Sequence, residues 1–407
     1  MTELVPLRRN RDFVLFQSGA LLSTFGSGIS GIAYPLLTLA LTGSAAKTGY
    51  VGAVEFLPLV LLSAPAGVAA DRFDRKRLMI AADVTGAVAL ALLAAAVLTG
   101  SAKFWMIVVV AFVDTAAAVL YRSGSSGAIK AVVPVPQLAD ASSVAMARMS
   151  VVRLATPPLG GALFDLSRGL PFLADALSYA FSTAALLLMR TPFQEERVPG
   201  ARTPFREGLA YFWSIPFLRT TIGMIAASNV VAVGAPIAVI ILADRQGLSG
   251  LTIGLFVALQ GVALLAGSAV SPLLRRRFPM RAILLSEFWM ALVYVAFIIH
   301  PDVYVLAVCA SLHAFWFPNT DSAIQAYSYA LIPDRLLGRS MAASNTLRAA
   351  SAPLGPLLAG LLLAHTTPQI AIAALAAPVV VAAALGTVSP ALRDLPSLAE
   401  ASPAAAG

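Results

Sequence analysis

The chain has its densest cluster of charge at Gly67-Val-Ala-Ala-Asp71-Arg72-Phe-Asp74-Arg75-Lys76-Arg77. The flanking stretches, 47–70 and 78–99, each contain the roughly 20 apolar residues that span a ~30 Å hydrocarbon core. Because the charged loop is so short, the two flanking helices must be antiparallel neighbours. The loop is therefore predicted to be a cytoplasmic hinge between two membrane helices.

Composition extends this interpretation to the whole chain. Of 407 residues, 59% are hydrophobic and only 12% are charged, which excludes an ordinary soluble globular fold. The single cysteine, Cys309, rules out a disulfide within the chain and a cysteine-based metal site. The three histidines, His300, His313 and His365, are too dispersed to predict a metal site. The sequence also lacks the Gly-x-x-x-x-Gly-Lys-Ser/Thr phosphate loop, so neither an enzyme nor a cofactor is predicted.

Long apolar segments recur along the chain and predict an all-α membrane protein. They are continuously apolar instead of alternating at every second residue, which favours helices over a β-barrel. The first segment follows Arg8, Arg9 and Arg11, is longer than a signal-peptide core and is expected to be retained. We number the twelve segments 1 to 12: 15–41, 47–70, 78–99, 103–131, 138–165, 171–190, 217–243, 250–274, 281–299, 303–331, 337–364 and 368–390.

The distribution of basic residues predicts the orientation. Twenty of the 28 lysines and arginines fall on the side of the 67–77 loop, which makes that side and both termini cytoplasmic in a plasma membrane. The opposite side keeps Lys47, Lys103, Arg168 and Arg245. The net charge of +8 is spread over loops beside membrane segments. This pattern favours contact with anionic lipid headgroups and not with nucleic acid.

A polar stretch with several prolines divides the segments into two sets of six. The predicted organisation is an N-terminal bundle over 1–190, a cytoplasmic linker over 191–213 and a C-terminal bundle with a short tail over 214–407. The halves align as weak repeats at an offset of 199 residues, which pairs Pro134 with Pro333 and Gly161 with Gly360. Two such bundles would enclose a central site near the middle of the membrane.

The loop also carries a family signature. Gly67, Asp71, Arg72, Arg75 and Lys76 match the Gly-x-x-x-Asp-Arg-x-Gly-Arg-Arg/Lys motif of the major facilitator superfamily, with Asp74 in place of its glycine. Over nearly its full length the chain resembles that superfamily, and within it the bacterial enterobactin-exporter and macrolide-efflux type of drug:proton antiporter. The resemblance implies a twelve-helix fold of two pseudo-symmetric six-helix bundles.

The resemblance also implies a role for the loop as a gate. Asp71 would accept hydrogen bonds from the free N–H groups that open segment 11, with Arg75 in the same network. The alternative is that Asp71 only balances the neighbouring arginines. The second copy of the motif, at 267–277, keeps Gly267 but has Ser271 in place of the acid.

Two further elements are similar to the Gly-Pro-x-x-Gly-Gly element of exporters. Small residues allow close helix packing and proline permits a kink, so both elements are predicted to form contacts between the bundles. Their members are Pro157, Gly160 and Gly161 in segment 5, and Gly355, Pro356 and Gly360 in segment 11.

Ionisable residues inside the segments are the candidates for proton coupling, because charge in a membrane is kept mainly where it is paired, faces a cavity or moves protons. Glu55, Asp114 and Arg122 are predicted to carry or sense the proton. For Arg122, an internal salt bridge such as one to Asp321 is an equal alternative. Asp175 is expected to lie shallow, and Asp83 to pair with the basic loop.

A second group of residues is predicted to face the substrate. In segment 10, aromatic rings and polar tips would suit a flat amphipathic or cationic ligand, although packing between helices explains such rings equally well. The candidates are His313, Trp316, Asn319, Asp321, Arg153, Gln17 and Asn229.

Together these features predict a secondary transporter that exports a small amphipathic molecule or drug in exchange for protons, acting as a monomer by alternating access. A proton-coupled uptake symporter or a facilitator on the same fold is the first alternative. A membrane sensor or assembly protein without transport activity is the second.

Overall fold

The computed structural model describes residues 6–191, 193 and 205–395. All regular secondary structure in this part of the chain is helical, and eleven of its helical segments are long and apolar enough to cross a membrane. The α-helices are α1 (Arg11–Thr42), α2 (Ala45–Val54), α3 (Leu57–Arg72), α4 (Arg75–Leu98), α5 (Phe104–Val132), α6 (Leu138–Leu166), α7 (Leu170–Leu188), α8 (Phe205–Ser214), α9 (Pro216–Arg245), α10 (Gly250–Arg277), α11 (Met280–Met290), α12 (Val295–Ile299), α13 (Val303–Leu331), α14 (Asp334–Ser351), α15 (Leu354–His365), α16 (Pro368–Val388) and α17 (Pro390–Arg393).

The twelve predicted segments all coincide with helices, but α6 falls outside the eleven apolar spans. It is 29 residues long, which is sufficient to cross a bilayer. Its composition is more polar than that of the other spans, because it carries four charged residues. They are Asp140, Arg148, Arg153 and Asp165.

Three predicted segments are interrupted helices. Segment 2 breaks between α2 and α3 at Glu55 and Phe56, just before Pro58, and segment 11 breaks between α14 and α15 at Pro353. Proline has no backbone N–H, so it cannot continue the helical hydrogen-bond ladder. Segment 9 consists of α11 and α12 joined by a 3₁₀ turn over Ala291–Tyr294.

The helices divide into two compact units. Unit 1 contains residues 1–198 and 244–258, and unit 2 contains residues 199–243 and 259–407. The boundary at 198 falls within the predicted linker 191–213, whereas the first turns of α10 group with unit 1. Residues 192 and 194–204 of that linker lie outside the described residues.

In unit 1, α1 packs against α6 and α7, and α4 packs against α5 and α7. Its core contains Tyr34 of α1 against Phe172 of α7, with Leu90 of α4 and Ile107 of α5 fully buried around them. Two of these four helices, α5 and α7, carry the buried carboxyls Asp114 and Asp175 described below.

In unit 2, α11 packs against α13 and α16, and α8 packs against α14. Ion pairing and close backbone approach fix α8 on α14: Arg339 lies 2.6 Å from Glu207, and Ser340 donates a hydrogen bond to the Gly208 carbonyl. A Cβ at Gly208 would lie 2.5 Å from the Cβ of Arg339, so only glycine permits this contact. This part of the predicted linker is thus an ordered helix.

Candidate functional site

The best-defined polar site in unit 1 surrounds Asp114. This residue of α5 is 5% exposed, and its carboxyl group accepts hydrogen bonds from the hydroxyls of Tyr179 (2.8 Å) and Tyr34 (3.0 Å). The Tyr179 hydroxyl also lies 3.1 Å from that of Ser27. Buried carboxyls are costly unless their oxygens are satisfied, and both oxygens of Asp114 have a partner. A carboxyl held in this way can exist with or without a proton.

Asp175 forms a second buried carboxyl site next to the first. It lies in the second turn of α7, and its side chain is fully buried and contacts the hydroxyls of Ser30 and Ser178. These contacts show that α7 turns this position towards α1. Asp175 and Tyr179 are four residues apart, so they lie on the same face of α7.

Glu55 lies at the break between α2 and α3 and is half-buried. Its carboxyl group interacts electrostatically with Asp114. Glu55 and Asp114, two of the three predicted proton carriers, are therefore close enough for the charge of one to affect the other. Arg122, the third, is eight residues beyond Asp114 on α5 and is exposed.

The predicted substrate residues of unit 1 differ in their surroundings. The Oε1 atom of Gln17 accepts a hydrogen bond from Arg148 at 2.9 Å, which joins α1 to α6. Arg153, one and a half turns further along α6, is exposed. Gln17 thus has a structural partner that the sequence analysis did not identify.

The charged loop between α3 and α4 is built by local contacts. Asp74, which replaces the glycine of the family motif, caps α4 by accepting a hydrogen bond from the N–H of Arg77 at 2.8 Å. The carboxylate of Asp71 is 79% exposed and lies 4.0 Å from Arg75. Lys76 donates a hydrogen bond to the Met189 carbonyl at 2.8 Å, at the end of α7.

Two glycines make room for the start of α4. A Cβ at Gly127 would lie 1.9 Å from the guanidinium of Arg75, and one at Gly124 would lie 2.7 Å from Met79. The loop motif therefore depends on small residues of α5 for its position. Arg72 and Gly67, the remaining motif residues, are exposed and half-buried, respectively.

The proline–glycine element of segment 5 packs on α1 and on the part of α10 that belongs to unit 1. A Cβ at Gly161 would lie 1.9 Å from the carbonyl oxygen of Gly250, and one at Gly254 would lie 2.2 Å from that of Pro157. On the other side, a Cβ at Gly160 would lie 2.8 Å from the carbonyl oxygen of Ile29. The element thus brings α6 against the first turns of α10 and against α1.

Asp165 strengthens the contact between α6 and α10. Its carboxylate oxygens accept hydrogen bonds from the N–H groups of Gly250 (2.7 Å) and Leu251 (2.9 Å). These are free N–H groups of the first helical turn, where negative charge is favoured. The arrangement is the one that the resemblance assigned to Asp71 and segment 11, but it occurs at the end of α6, which lies away from the charged loop.

The matching element of segment 11 lies in unit 2. A Cβ at Gly355 would lie 2.5 Å from the carbonyl oxygen of Val230, and one at Gly234 would lie 2.8 Å from that of Gly355. Pro356 and Gly360 are buried in the same helix. This element therefore packs α15 closely against α9.

Charged residues in unit 2 form one group, in which Glu287 interacts electrostatically with Asp321 and Arg348. Arg348 of α14 makes an ion pair with Asp321 of α13, which also accepts a hydrogen bond from Gln325 at 2.8 Å. Glu287 of α11 is 2% exposed and accepts a hydrogen bond from Ser228 of α9. The partner of Asp321 is thus a residue of its own unit, which the sequence analysis had not considered.

The predicted substrate residues of α13 are only partly open. His313 is buried with its ring 5.9 Å from that of Tyr294, and Asn319 is buried and donates a hydrogen bond to the Phe315 carbonyl at 3.2 Å. Trp316 is half-buried beside Phe315, with ring centroids 5.6 Å apart.

Asn229 of α9 belongs to the same unit as these residues. It donates hydrogen bonds to the Arg348 carbonyl (3.0 Å) and to the Ser351 hydroxyl (3.3 Å). It therefore ties α9 to α14 beside the ion pair of Arg348.

Sequence reasoning missed Tyr34, Tyr179 and Asp165. Tyrosines in a membrane segment resemble other aromatic core residues, and only the structure shows that two of them meet one carboxyl. Asp165 stands at the predicted end of its segment, where an acid beside the free N–H groups of another helix could have been considered.

Comparison with known proteins gives a consistent result. The model of a family described as transmembrane secretion effector matches residues 1–404. The chain is 26% identical to the multidrug efflux pump Tap of Mycobacterium tuberculosis, with 92% of each protein covered. It is 24% identical to macrolide efflux protein A of Streptococcus pyogenes, over 49% of this chain and 50% of that protein.

Solved structures share the fold at lower identity. A bacterial homologue of the lysosomal transporter Spinster has a TM-score of 0.71 at 15% identity, covering 95% of this chain and 97% of that one. The D-xylose-proton symporter has a TM-score of 0.69 at 13% identity, covering 96% of this chain and 100% of that one. At such identities the likeness concerns the fold alone.

Proposed function

Because the chain belongs to the family of transmembrane secretion effectors, within the major facilitator superfamily, we propose that it exports a small amphipathic molecule across the plasma membrane in exchange for protons. The direction is supported by two relatives that are named efflux pumps or efflux proteins. The exchange for protons is supported by the buried carboxyls of unit 1.

The single observation that carries the proposal is the environment of Asp114. Two tyrosine hydroxyls and an interacting acid, Glu55, surround a carboxyl that is removed from water. When the group is ionised, both hydroxyls donate to it; when it takes up a proton, one of them can turn away. Binding and release of a proton at Asp114 then change the contacts between α1, α5 and α7, which couples the proton to the packing of these helices.

The substrate is proposed to contact unit 2 through Trp316, Asn319 and Asp321. A half-buried indole offers an apolar face, and the buried amide has an oxygen that accepts no hydrogen bond within the described residues. An aromatic face suits a flat molecule that is partly apolar or carries a positive charge. His313, Asn229, Gln17 and Arg153 are proposed to support this site by positioning the helices around it.

The charged loop is proposed to act as the cytoplasmic gate. Its local framework is rigid, because Asp74 caps α4 and Lys76 holds the end of α7. The exposed carboxylate of Asp71 remains available for the free N–H groups of segment 11, as the resemblance implies. Arg75 would then align that carboxylate.

Transport measurements in vesicles test this proposal. Purified protein is reconstituted, a pH gradient is imposed, and movement of the fluorescent dye ethidium is followed with the wild type and the Glu55→Gln, Asp114→Asn double variant. We expect the double variant to lose gradient-driven transport and to retain counterflow of the dye. Unchanged driven transport would remove both residues from the coupling role, dye uptake together with protons would favour a symporter, and no transport of diverse dyes and drugs would favour a sensor.

A further inference from the structure

Asp83 is a buried carboxyl of unit 1 that the proposed function does not use. It lies on α4, is fully buried, and neither of its oxygens accepts a hydrogen bond within the described residues. The sequence analysis expected it to pair with the basic loop, but burial among α4, α5 and α7 separates it from solvent and from that loop. An unpaired carboxylate is strongly disfavoured in such surroundings, so this side chain needs a proton or a partner.

Hydroxyl groups lie on the side of Asp83 that faces α5 and α7. The Ser182 hydroxyl interacts with the Asp83 carboxyl, and it donates a hydrogen bond to the Tyr121 hydroxyl at 3.5 Å. Asp83 also interacts electrostatically with Tyr121 and with Asp175. On α3, the ionisable residues are Asp71 and Arg72, and both lie in the last turn of the helix.

These groups continue towards the Asp114 site along two parallel helix faces. On α7, Asp175, Tyr179 and Ser182 occupy positions i, i+4 and i+7, which share one face. On α5, Asp114 and Tyr121 are also seven residues apart, a rise of about 10 Å. Both helices run in the same direction, so both sets lead from the Asp114 site towards the charged loop and pass beside Asp83.

The two carboxyls lie at similar depths. An added Cβ at Gly124 of α5 would meet Arg75 and Met79, so Gly124 is level with the first turn of α4. Asp83 is eight residues, about 12 Å, beyond Arg75, and Asp114 is ten residues, about 15 Å, from Gly124. Tyr121 lies nearer to the charged loop than either carboxyl, and Tyr179 is one helical turn from Ser182. A turn is a gap that a single water molecule can bridge.

We infer that Asp83 is a second proton-binding residue, and that a polar line through Ser182, Tyr121 and Tyr179 connects it to Asp114. The carboxylic acid of Asp83 releases a proton to the cytoplasmic face and becomes a carboxylate, which is then reprotonated along the line. Each hydroxyl gives one proton and receives another, so it ends unchanged. This inference rests on the proposed exchange for protons, because it supplies the route by which a proton leaves the buried site.

Infrared titration tests proton binding independently of transport. The carbonyl band of protonated carboxyl groups is recorded for the purified protein in lipid vesicles while the pH is raised. We expect Asp83→Asn to remove one titrating component, and the matched control Asp140→Asn, at an exposed position of α6, to keep it. An unchanged band in Asp83→Asn would overturn the inference.

Transport then tests the connection to Asp114. We expect Asp83→Asn to lower gradient-driven ethidium transport about tenfold and to change counterflow less than twofold, with Thr85→Val, at an exposed position of α4, as the control. Ser182→Ala and Tyr121→Phe should slow the driven rate in the same way, and both keep the volume of the core nearly constant. Full driven transport in Asp83→Asn, or an equal loss of counterflow, would overturn the inference.

The two assays separate the failure of this inference from that of the proposed function. If the wild type does not exchange protons for the dye, the proposed function falls and the connection to Asp114 falls with it. The infrared titration then still decides whether Asp83 binds a proton. If the wild type does exchange protons and only Asp83→Asn behaves like the wild type, the inference alone is wrong.

Discussion

The carboxylate of Asp165 caps α10 by accepting a hydrogen bond from the backbone N–H of Gly250 at 2.7 Å. Its other oxygen accepts the N–H of Leu251, so one side chain satisfies two free donors of the first turn. Beyond residue 258, α10 continues from unit 1 into unit 2. The cap therefore fixes the beginning of a helix that belongs to both units.

Removing this cap should loosen the start of α10. In Asp165→Ala we expect hydrogen exchange at the amides of Gly250 and Leu251 to accelerate about tenfold, since charge-assisted hydrogen bonds to an exposed carboxylate are lost. Exchange measured by mass spectrometry on peptides covering 246–256 checks this. Arg168→Gln, which changes an exposed charge near the same helix end, is the control and should leave these amides unaffected.

The glycine contact between α6 and α10 should be sensitive to a single methyl group. A Cβ at Gly161 would meet the backbone of Gly250, which cannot move aside as a side chain can. We expect Gly161→Ala to lower the free energy of unfolding by about 1–3 kcal/mol through overpacking. Gly31→Ala, in α1 with nothing within 4 Å of the added atom, should be neutral or slightly stabilising in the same thermal unfolding assay. Equal behaviour of the two variants would contradict the close approach of α6 and α10.

The ion pair of unit 2 should show strong coupling. The Arg348 and Asp321 side chains are 17% and 22% exposed, so removing either one leaves a poorly solvated charge. In a cycle of Arg348→Gln, Asp321→Asn and the double variant, we expect a coupling free energy of about 1–3 kcal/mol by thermal unfolding. Additive effects of the two substitutions would indicate that the pair contributes nothing to stability.

The two tyrosines at Asp114 should influence transport more than stability. Tyr34→Phe and Tyr179→Phe each remove one hydroxyl donor while the ring stays in place. We expect gradient-driven transport to fall about three- to tenfold, because a hydrogen bond to a carboxylate contributes roughly 1 kcal/mol or more. Tyr50→Phe, at a position that is 48% exposed, should behave as the wild type in the same vesicle assay. A similar loss of counterflow would instead indicate a packing defect.

Hydrophobic length and loop charge were enough to predict the helical membrane fold, because each segment must span the bilayer and satisfy its own backbone. The breaks were not predicted, although prolines mark two of them. Pro58 interrupts segment 2, whereas Pro35 is accommodated inside the continuous helix α1. Whether a proline breaks a membrane helix depends on its neighbours, which the sequence alone does not give.

Side-chain direction limited the prediction of the site. Asp114 was selected correctly as a buried acid, but its two tyrosine partners lie 80 and 65 residues away in sequence. Asp83 was expected to pair with the basic loop because it lies close to it in sequence, whereas helix rotation turns it into the core. Rotation also buries Asp175, for which only a shallow depth was predicted. The depth of a residue along a membrane helix can be estimated from the sequence. The direction in which its side chain points around the helix axis follows only from how the helices pack.

The break at Glu55 gives segment 2 the mechanics of two rods joined by a hinge. The first rod, α2, packs on α1 and α5, and the second rod, α3, packs on α5 and ends in the charged loop. A change of charge at the joint would therefore reach the loop as a shift of α3 along α5. The contacts of α2 lie on the other side of the joint and would stay in place.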